Sequence, residues 1–289
     1  MTVTADPGAP EPALGGAPVP ELYVSGRRKR RAERVRRWLS YLAGAVVIVL
    51  VGFAVDWDRV GRKYFSWERI TPLFPEIITI AAKNTAIYTA GAFVGGVVLG
   101  VSAALLRLSS VRAYRWAAKV YIEIFRGLPA LLTIIMVGFI TPIALGIKFP
   151  RVASVNSAGI VALALVAGAY LAETIRAGIQ AVPVGQVEAA RSLGLSRAAT
   201  LRHVIMPQAF RVVIPPLTNE FVLLIKDTSL LSVLGMAISE KDLTRFGRDA
   251  ANQGYNATPL VAAGIMYLVI TIPLTQLVAY LEKRNGPTR

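Results

Sequence analysis

The 289-residue chain has no cysteine and one histidine, His203. The first absence removes disulfide frameworks, thiolate metal sites and thiol nucleophiles; the second removes multi-histidine metal sites and histidine proton relays. No G-x-x-x-x-G-K-[ST] occurs, nor any Gly-Lys dipeptide, so there is no P-loop for nucleotide phosphates. G-x-S-x-G and H-E-x-x-H are missing as well. The sequence therefore predicts no catalytic residue, no metal ligand and no enzyme activity in this chain by itself. Charge is scarce too, at 17% of residues against 54% in the hydrophobic set. A soluble domain of this size cannot hide so large an apolar share, and the excess points to lipid.

Residues 1–26 are rich in Pro, Gly and Ala with little apolar periodicity, which predicts disorder. With the basic run that follows, they form a predicted disordered basic tail over 1–38. The first uninterrupted apolar run, 39–55, predicts a transmembrane helix over 39–56. A cleavable signal is the alternative, and the distance from the N-terminus argues against it. Residues 57–76 form a loop, and further apolar runs fall near 77–106, 119–145, 157–180, 208–235 and 258–281. The expected fold is all-α, a polytopic membrane protein with about six transmembrane helices.

The net charge of +15 suggests nucleic acid or an anionic membrane face. Summing Lys and Arg over alternate connections places twenty on the side of the N-terminus and nine on the other. Basic residues favour the cytoplasmic side, so both termini are predicted to be cytoplasmic. Arg27, Arg28, Lys29, Arg30 and Arg31 precede the first span by eight residues. A juxtamembrane basic run binds anionic headgroups at about 1 kcal/mol per residue, which favours the lipid bilayer over nucleic acid as its partner.

Gly91, Gly95, Gly96 and Gly100 form two successive G-x-x-x-G pairs in the second span, and Ala164 with Gly168 repeats the spacing in the fourth. Small residues four apart let helix backbones approach closely, within one subunit or between two. Ionisable residues inside apolar runs are costly, and they face a protein interior or a wet path. Glu123 with Arg126, and Glu173 with Arg176, are spaced to neutralise each other on a helix. Glu220 and Asp227 lie seven apart on one helical face, with Asn219 and Lys226 on a neighbouring stripe. Counted from a break at Pro215-Pro216, Lys226 falls near mid-bilayer. Glu173, Asn219, Glu220, Lys226 and Asp227 are thus candidates for a substrate path; a purely structural network is the alternative.

The connection 176–211 is long and helical in character. Pro183 ends the incoming helix, and two short helices joined at Gly194 follow, with Ser196 as N-cap of the second. Such an elbow suits insertion into another protein's groove; a hairpin over the mouth of the bundle suits the residues equally.

Glu188, Ala189 and Ala190, three residues, Gly194, nine residues, then an I-x-L-P-like close from Val204 to Pro207 resembles the coupling motif of type I ABC importer permeases. Val204 and Met206 stand where that pattern prefers Ile and Leu. E-I-F-R-G-L-P (123–129), G-A-Y-L-A-E (168–173), P-V-G-Q-V-E-A-A (183–190), M-P-Q-A (206–209) and L-I-K-D-T-S-L-L-S-V-L-G (224–235) are similar to the polar amino acid branch of that family. The resemblance covers roughly 75–284.

The resemblance implies a permease domain over 77–284, with five core helices preceded by one N-terminal helix. Its coupling loop, 183–207, would bear Glu188, Ala189, Ala190, Arg191, Gly194, Ser196 and Pro207. The implied partners are a cytoplasmic ABC ATPase dimer, a second permease subunit, identical or related, and an extracytoplasmic amino-acid-binding protein. ATP and Mg would sit on the ATPase, leaving this chain without a cofactor. The implied location is the bacterial cytoplasmic membrane. An ion-gradient-driven secondary transporter, or a scaffold that recruits an ATPase without moving solute, are the competing functions. The first predicts inverted repeats, and no repeat is visible.

Overall fold

The computed structural model describes residues 22–285. Residues 1–21, most of the predicted tail, lie outside the described residues, as do 286–289 and the side chains of Arg27 to Arg31. The chain divides into two compact units, one ending at Val60 and one beginning at Gly61.

The first unit is dominated by α1 (Leu22–Ala54), which starts inside the stretch expected to be disordered. From Arg27 to Ala43 there is neither Pro nor Gly, and Arg, Ala and Leu are strong helix formers. Once the apolar half is helical, the basic half extends it without a second nucleation. The segment apolar enough to cross a membrane is Glu33–Ala54.

Around the unit boundary, the predicted 57–76 loop holds α2 (Trp57–Tyr64) and α3 (Trp67–Ile70). A π-helical segment, Ile77–Ala82, leads into α4 (Lys83–Leu108). The third predicted span is not one rod. It comprises α5 (Arg112–Gly127), α6 (Ala130–Ile135), a π turn and α7 (Thr141–Leu145), with a 107° bend between α5 and the rest. The cause is Pro129, which disfavours helical geometry at Leu128; Leu128 is extended.

A two-residue antiparallel pair, β1 (Arg151–Val152) with β2 (Val155–Asn156), departs from the otherwise helical fold of the described residues. Asn156 then caps α8 (Ser157–Gln180) by accepting the Ala158 N–H. Next come α9 (Val184–Ser192), α10 (Arg197–Thr200), a π turn at Leu201–Ile205, α11 (Met206–Asp227), α12 (Leu243–Gly254) and α13 (Thr258–Asn285).

Among the described residues four helical segments are long and apolar enough to cross a membrane, Glu33–Ala54, Ile77–Leu108, Ser157–Gln180 and Thr258–Leu281, and the bent pair makes a fifth if it is taken as one span. The fifth predicted span, 208–235, ends its α-helix at Asp227 and carries Arg211, Glu220, Lys226 and Asp227, so it is the most polar of the six. Its prolines do not break it: α11 runs through Pro215 and Pro216. Membrane helices tolerate proline where neighbours re-satisfy the freed carbonyls.

The glycine face has a definite partner. A Cβ at Gly95 would lie 3.0 Å from Ala164, one at Gly96 3.0 Å from Ala167, and one at Gly100 2.8 Å from Leu171. The contacts advance together along both chains, so α4 and α8 run parallel, and the small residues bring helices of one subunit together. Tyr88, Ile134, Leu163, Leu224 and Leu231 fill the core where α4, α6, α8 and α11 meet.

The opposite end from the α8 C-terminus is fastened by polar contacts. Asn84 donates to Ser239 O at 2.7 Å and Lys241 O at 3.0 Å, and accepts from Ser154 at 2.6 Å. Buried Glu240 accepts from Arg151 and from the Ala237 N–H. Asp242 caps α12 through the N–H groups of Thr244 and Arg245, and Tyr267 donates to it at 3.3 Å.

Burial pushes the Asp242 carboxyl up to about 6, against the lowering effect of its backbone hydrogen bonds. Between about pH 4 and pH 6 the folded chain therefore holds a proton that the unfolded chain has released. Stability from this group is present in acid and is lost as pH rises through about 6, by roughly 3 kcal/mol in total. Asp242→Asn keeps a capping oxygen and removes the proton. Thermal unfolding between about pH 4.5 and 7.5 is expected to show that slope in the wild type and lose it in the variant.

Candidate functional site

The elbow between α8 and α11 is built from local rules. Pro183 fixes the approach to α9 with φ near −56°, and α9 ends in a Schellman motif. The Leu195 N–H bonds Ala190 O at 3.1 Å, and the Gly194 N–H bonds Arg191 O at 3.0 Å. Closing both bonds puts Gly194 at φ +86°, which L side chains rarely adopt. Ser196 then accepts the Ala199 N–H at 3.1 Å and starts α10, as its N-cap position predicts. Arg191 donates to Leu195 O at 2.6 Å, locking the turn from outside.

Of the predicted coupling residues, Glu188, Ala189, Arg191, Gly194, Ser196 and Pro207 are exposed, and Ala190 is buried against the returning chain. The second helix is not short. From Arg197 the helix continues through the π turn to Asp227, and Gln208 ties it back to α9 by donating to Gln186. Sequence reasoning passed over two features here. Leu193 is 81% and Val184 69% exposed, so the elbow presents apolar side chains outward. Val182 and Ala190 nearby are buried, and only the fold shows which is which.

The predicted substrate-path residues divide. Glu220 and Asp227 line one cavity of about 300 Å³, walled by Leu128, Ala130, Leu163 and Tyr170. Neither carboxylate makes a hydrogen bond or ion pair among the described residues. Asn219 and Lys226 are exposed and do not line that cavity. With no break at Pro215, Lys226 lies one residue from the end of the rod, so the depth counted from those prolines does not apply. Glu173 lines a neighbouring cavity and accepts from Arg176 at 2.6 Å, the pairing its spacing predicts. Glu123 pairs instead with Lys119, at 3.4 Å. Arg126 turns over the Tyr170 ring, 5.4 Å from its centroid, which is why the expected Glu123–Arg126 pair does not form.

These features define a multi-pass helical membrane protein with a rigid elbow between two of its core helices and an acidic cavity inside the bundle. Residues 96–286 match the family described as binding-protein-dependent transport system inner membrane component. The chain is 38% identical over 203 residues to the Bacillus subtilis (strain 168) protein named "Probable glutamine ABC transporter permease protein GlnM", covering 70% of this chain and 89% of that one. It is 33% identical over 272 residues to the arginine transport system permease protein ArgU of Corynebacterium glutamicum, covering 89% and 84%. A crystal structure of an amino acid ABC transporter with histidines superposes with a TM-score of 0.67 at 34% identity, over 76% of this chain and 98% of that one.

The chain belongs to the binding-protein-dependent transport family, as an inner membrane component. It is a permease subunit of an ABC importer, a family in which ATP hydrolysis resides on a separate subunit and a binding protein is a partner.

Proposed function

We propose that this chain imports polar amino acids, of the glutamate, glutamine or basic type, as half of a permease pair in the cytoplasmic membrane. Its elbow seats in a cleft on one subunit of a cytoplasmic ATPase dimer, where ATP and Mg are bound. An extracytoplasmic binding protein delivers the amino acid, and both termini lie in the cytoplasm. The observation that carries this reading is the elbow itself: a turn closed by Gly194 at φ +86° with Leu193 and Val184 turned outward. A rigid turn with exposed apolar groups is suited to a partner's groove. The amino acid class is supported by the relatives' names together with the carboxylates of Glu220 and Asp227, which have no partner among the described residues and suit a substrate ammonium group.

Closure of the ATPase pair moves the elbow, and the helices exchange between inward-open and outward-open states by rigid-body rotation. ATP drives this because the two states bind the ATPase dimer differently.

The test is Gly194→Val in the reconstituted complex. Beyond its chain neighbours, no atom of the described residues lies within 4 Å of the added Cβ, so the cost is local backbone strain of about 1–2 kcal/mol and the bundle folds. ATP-dependent uptake into proteoliposomes is expected to fall more than about tenfold, with loss of ATPase co-purification. Normal uptake with normal assembly would refute the docking role. Uptake driven by a proton or sodium gradient without ATP would replace the reading with a secondary transporter.

A further inference from the structure

The cavity beside Glu173 has a volume of about 380 Å³ and lies where the last turns of α4 and α8 meet α5, at the elbow end of the bundle. Its charged lining is Arg107, Lys119, Glu123, Arg126, Glu173 and Arg176. Two of the four cations are compensated. Arg176 binds Glu173 at 2.6 Å, and Lys119 lies 3.4 Å from Glu123. Arg107 and Arg126 have no carboxylate within ion-pair reach among the described residues. The Nε atoms of Arg107 and Arg176 are buried and lack a hydrogen-bond partner among those residues. Arg126 rests on the Tyr170 ring, a contact that holds its plane and uses none of its N–H donors.

Buried donors without acceptors are costly, and two surplus guanidinium groups around one cavity add uncompensated charge. Both deficits are met by a compact anion with several acceptor oxygens, and the arginine fork matches phosphate geometry. We propose that this cavity binds a phosphate group, supplied by the headgroup of an anionic phospholipid. Three observations favour the lipid as source. Glu173 and Arg176 lie in the last two turns of a membrane-crossing helix. Arg107 sits in the last turn of α4, beside exposed Leu105 and Leu106. On α5, Tyr114 and Trp116 are 54% and 68% exposed within five residues of Lys119, and such aromatics settle at the headgroup level. The inference rests on this end of the bundle lying at the membrane surface. It is independent of the transported substrate, so a failed uptake assay and a failed lipid assay remain distinguishable.

The test uses the purified full-length chain, with native mass spectrometry to count retained lipid. The probes are phosphatidylglycerol, phosphatidylcholine and, in a separate thermal-unfolding arm, inorganic phosphate. Phosphatidylglycerol is expected to be retained and phosphatidylcholine not. Arg107→Gln is expected to weaken retention about fivefold, and Arg107→Gln with Arg126→Gln about twenty-fivefold. Arg107→Lys, which keeps the charge, retains part of the binding, and Arg202→Gln on the exposed elbow leaves it unchanged. If Arg107→Gln does not fold, the comparison of Arg126→Gln with Arg107→Lys gives the same answer. Stabilisation by inorganic phosphate that is lost in Arg107→Gln, without lipid retention, keeps the phosphate site and overturns the lipid source. Equal retention and equal phosphate stabilisation in wild type and both glutamine variants overturns the proposal.

Discussion

Glu220→Gln is expected to raise the KM for amino acid uptake about thirtyfold or more, with little change in the complex's ATPase activity without substrate. Glu220 and Asp227 sit two helical turns apart on the face of α11 that borders the 300 Å³ cavity, among leucine and alanine side chains. A carboxylate in such surroundings is costly unless a partner supplies the opposite charge, and neither group has one among the described residues. A substrate ammonium group would supply it while bound. Glutamine has nearly the same shape, so the substitution removes the charge and leaves the walls of the cavity in place. Proteoliposome uptake, measured over a range of amino acid concentrations for Glu220→Gln and Asp227→Asn, checks this. A reduced yield of folded protein with unchanged KM and unchanged substrate preference would assign the pair to holding α11 in place instead.

Gly100→Leu is expected to prevent normal folding. The first added carbon would lie 2.8 Å from the Leu171 Cβ and 3.2 Å from both the Ala172 nitrogen and the Gly168 oxygen. The last two are backbone atoms of α8, which cannot swing aside as a side-chain tip can. Relief requires moving α4 away from α8 along the face where Gly95, Gly96 and Gly100 bring the helices together, at a cost of about 3 kcal/mol or more. Gly264→Leu provides the comparison, because no atom of the described residues outside its own helix backbone lies within 4 Å of its added carbon. Size-exclusion profiles and unfolding midpoints in detergent should show Gly264→Leu close to wild type and Gly100→Leu aggregated or absent.

How far such features are legible in the sequence depends on how local their causes are. The elbow is legible because Gly194 and Ser196 act on backbone groups within five residues of themselves. The glycine spacing of α4 is also legible, but its partner is not: small residues state that something approaches closely and leave open whether it is α8 or another subunit. The bend at Leu128 is marked by Pro129, yet apolar residues continue on both sides, and hydropathy joins what backbone sterics separate. Pro215 and Pro216 mislead in the reverse direction. An isolated helix would break there, and packing in the bundle sustains it. The basic half of α1 combines the charge of a disordered tail with the helix propensity of Arg and Ala, and propensity prevails beside an established helix. Side-chain pairing is the least legible level. Spacing alone allows Glu123 to meet Lys119 or Arg126, and Tyr170, forty-four residues from Arg126, decides between them.

The unbroken helical run from Arg197 to Asp227 joins the elbow to the cavity. At about 1.5 Å per residue it is roughly 45 Å long, with Ser196 at one extremity and the acidic pair toward the other. Although Pro207, Pro215 and Pro216 each remove one backbone hydrogen bond from it, the run stays helical throughout, so its two ends are mechanically linked. A few ångströms of sideways travel at the elbow therefore reach Glu220 and Asp227 as rotation about wherever the run is held, with direction and amplitude set by that fulcrum. Val213, packed into the gap beside Gly178, is a natural place for it. In the proposed mechanism, the end that meets the ATPase and the end that meets the amino acid belong to one helical run.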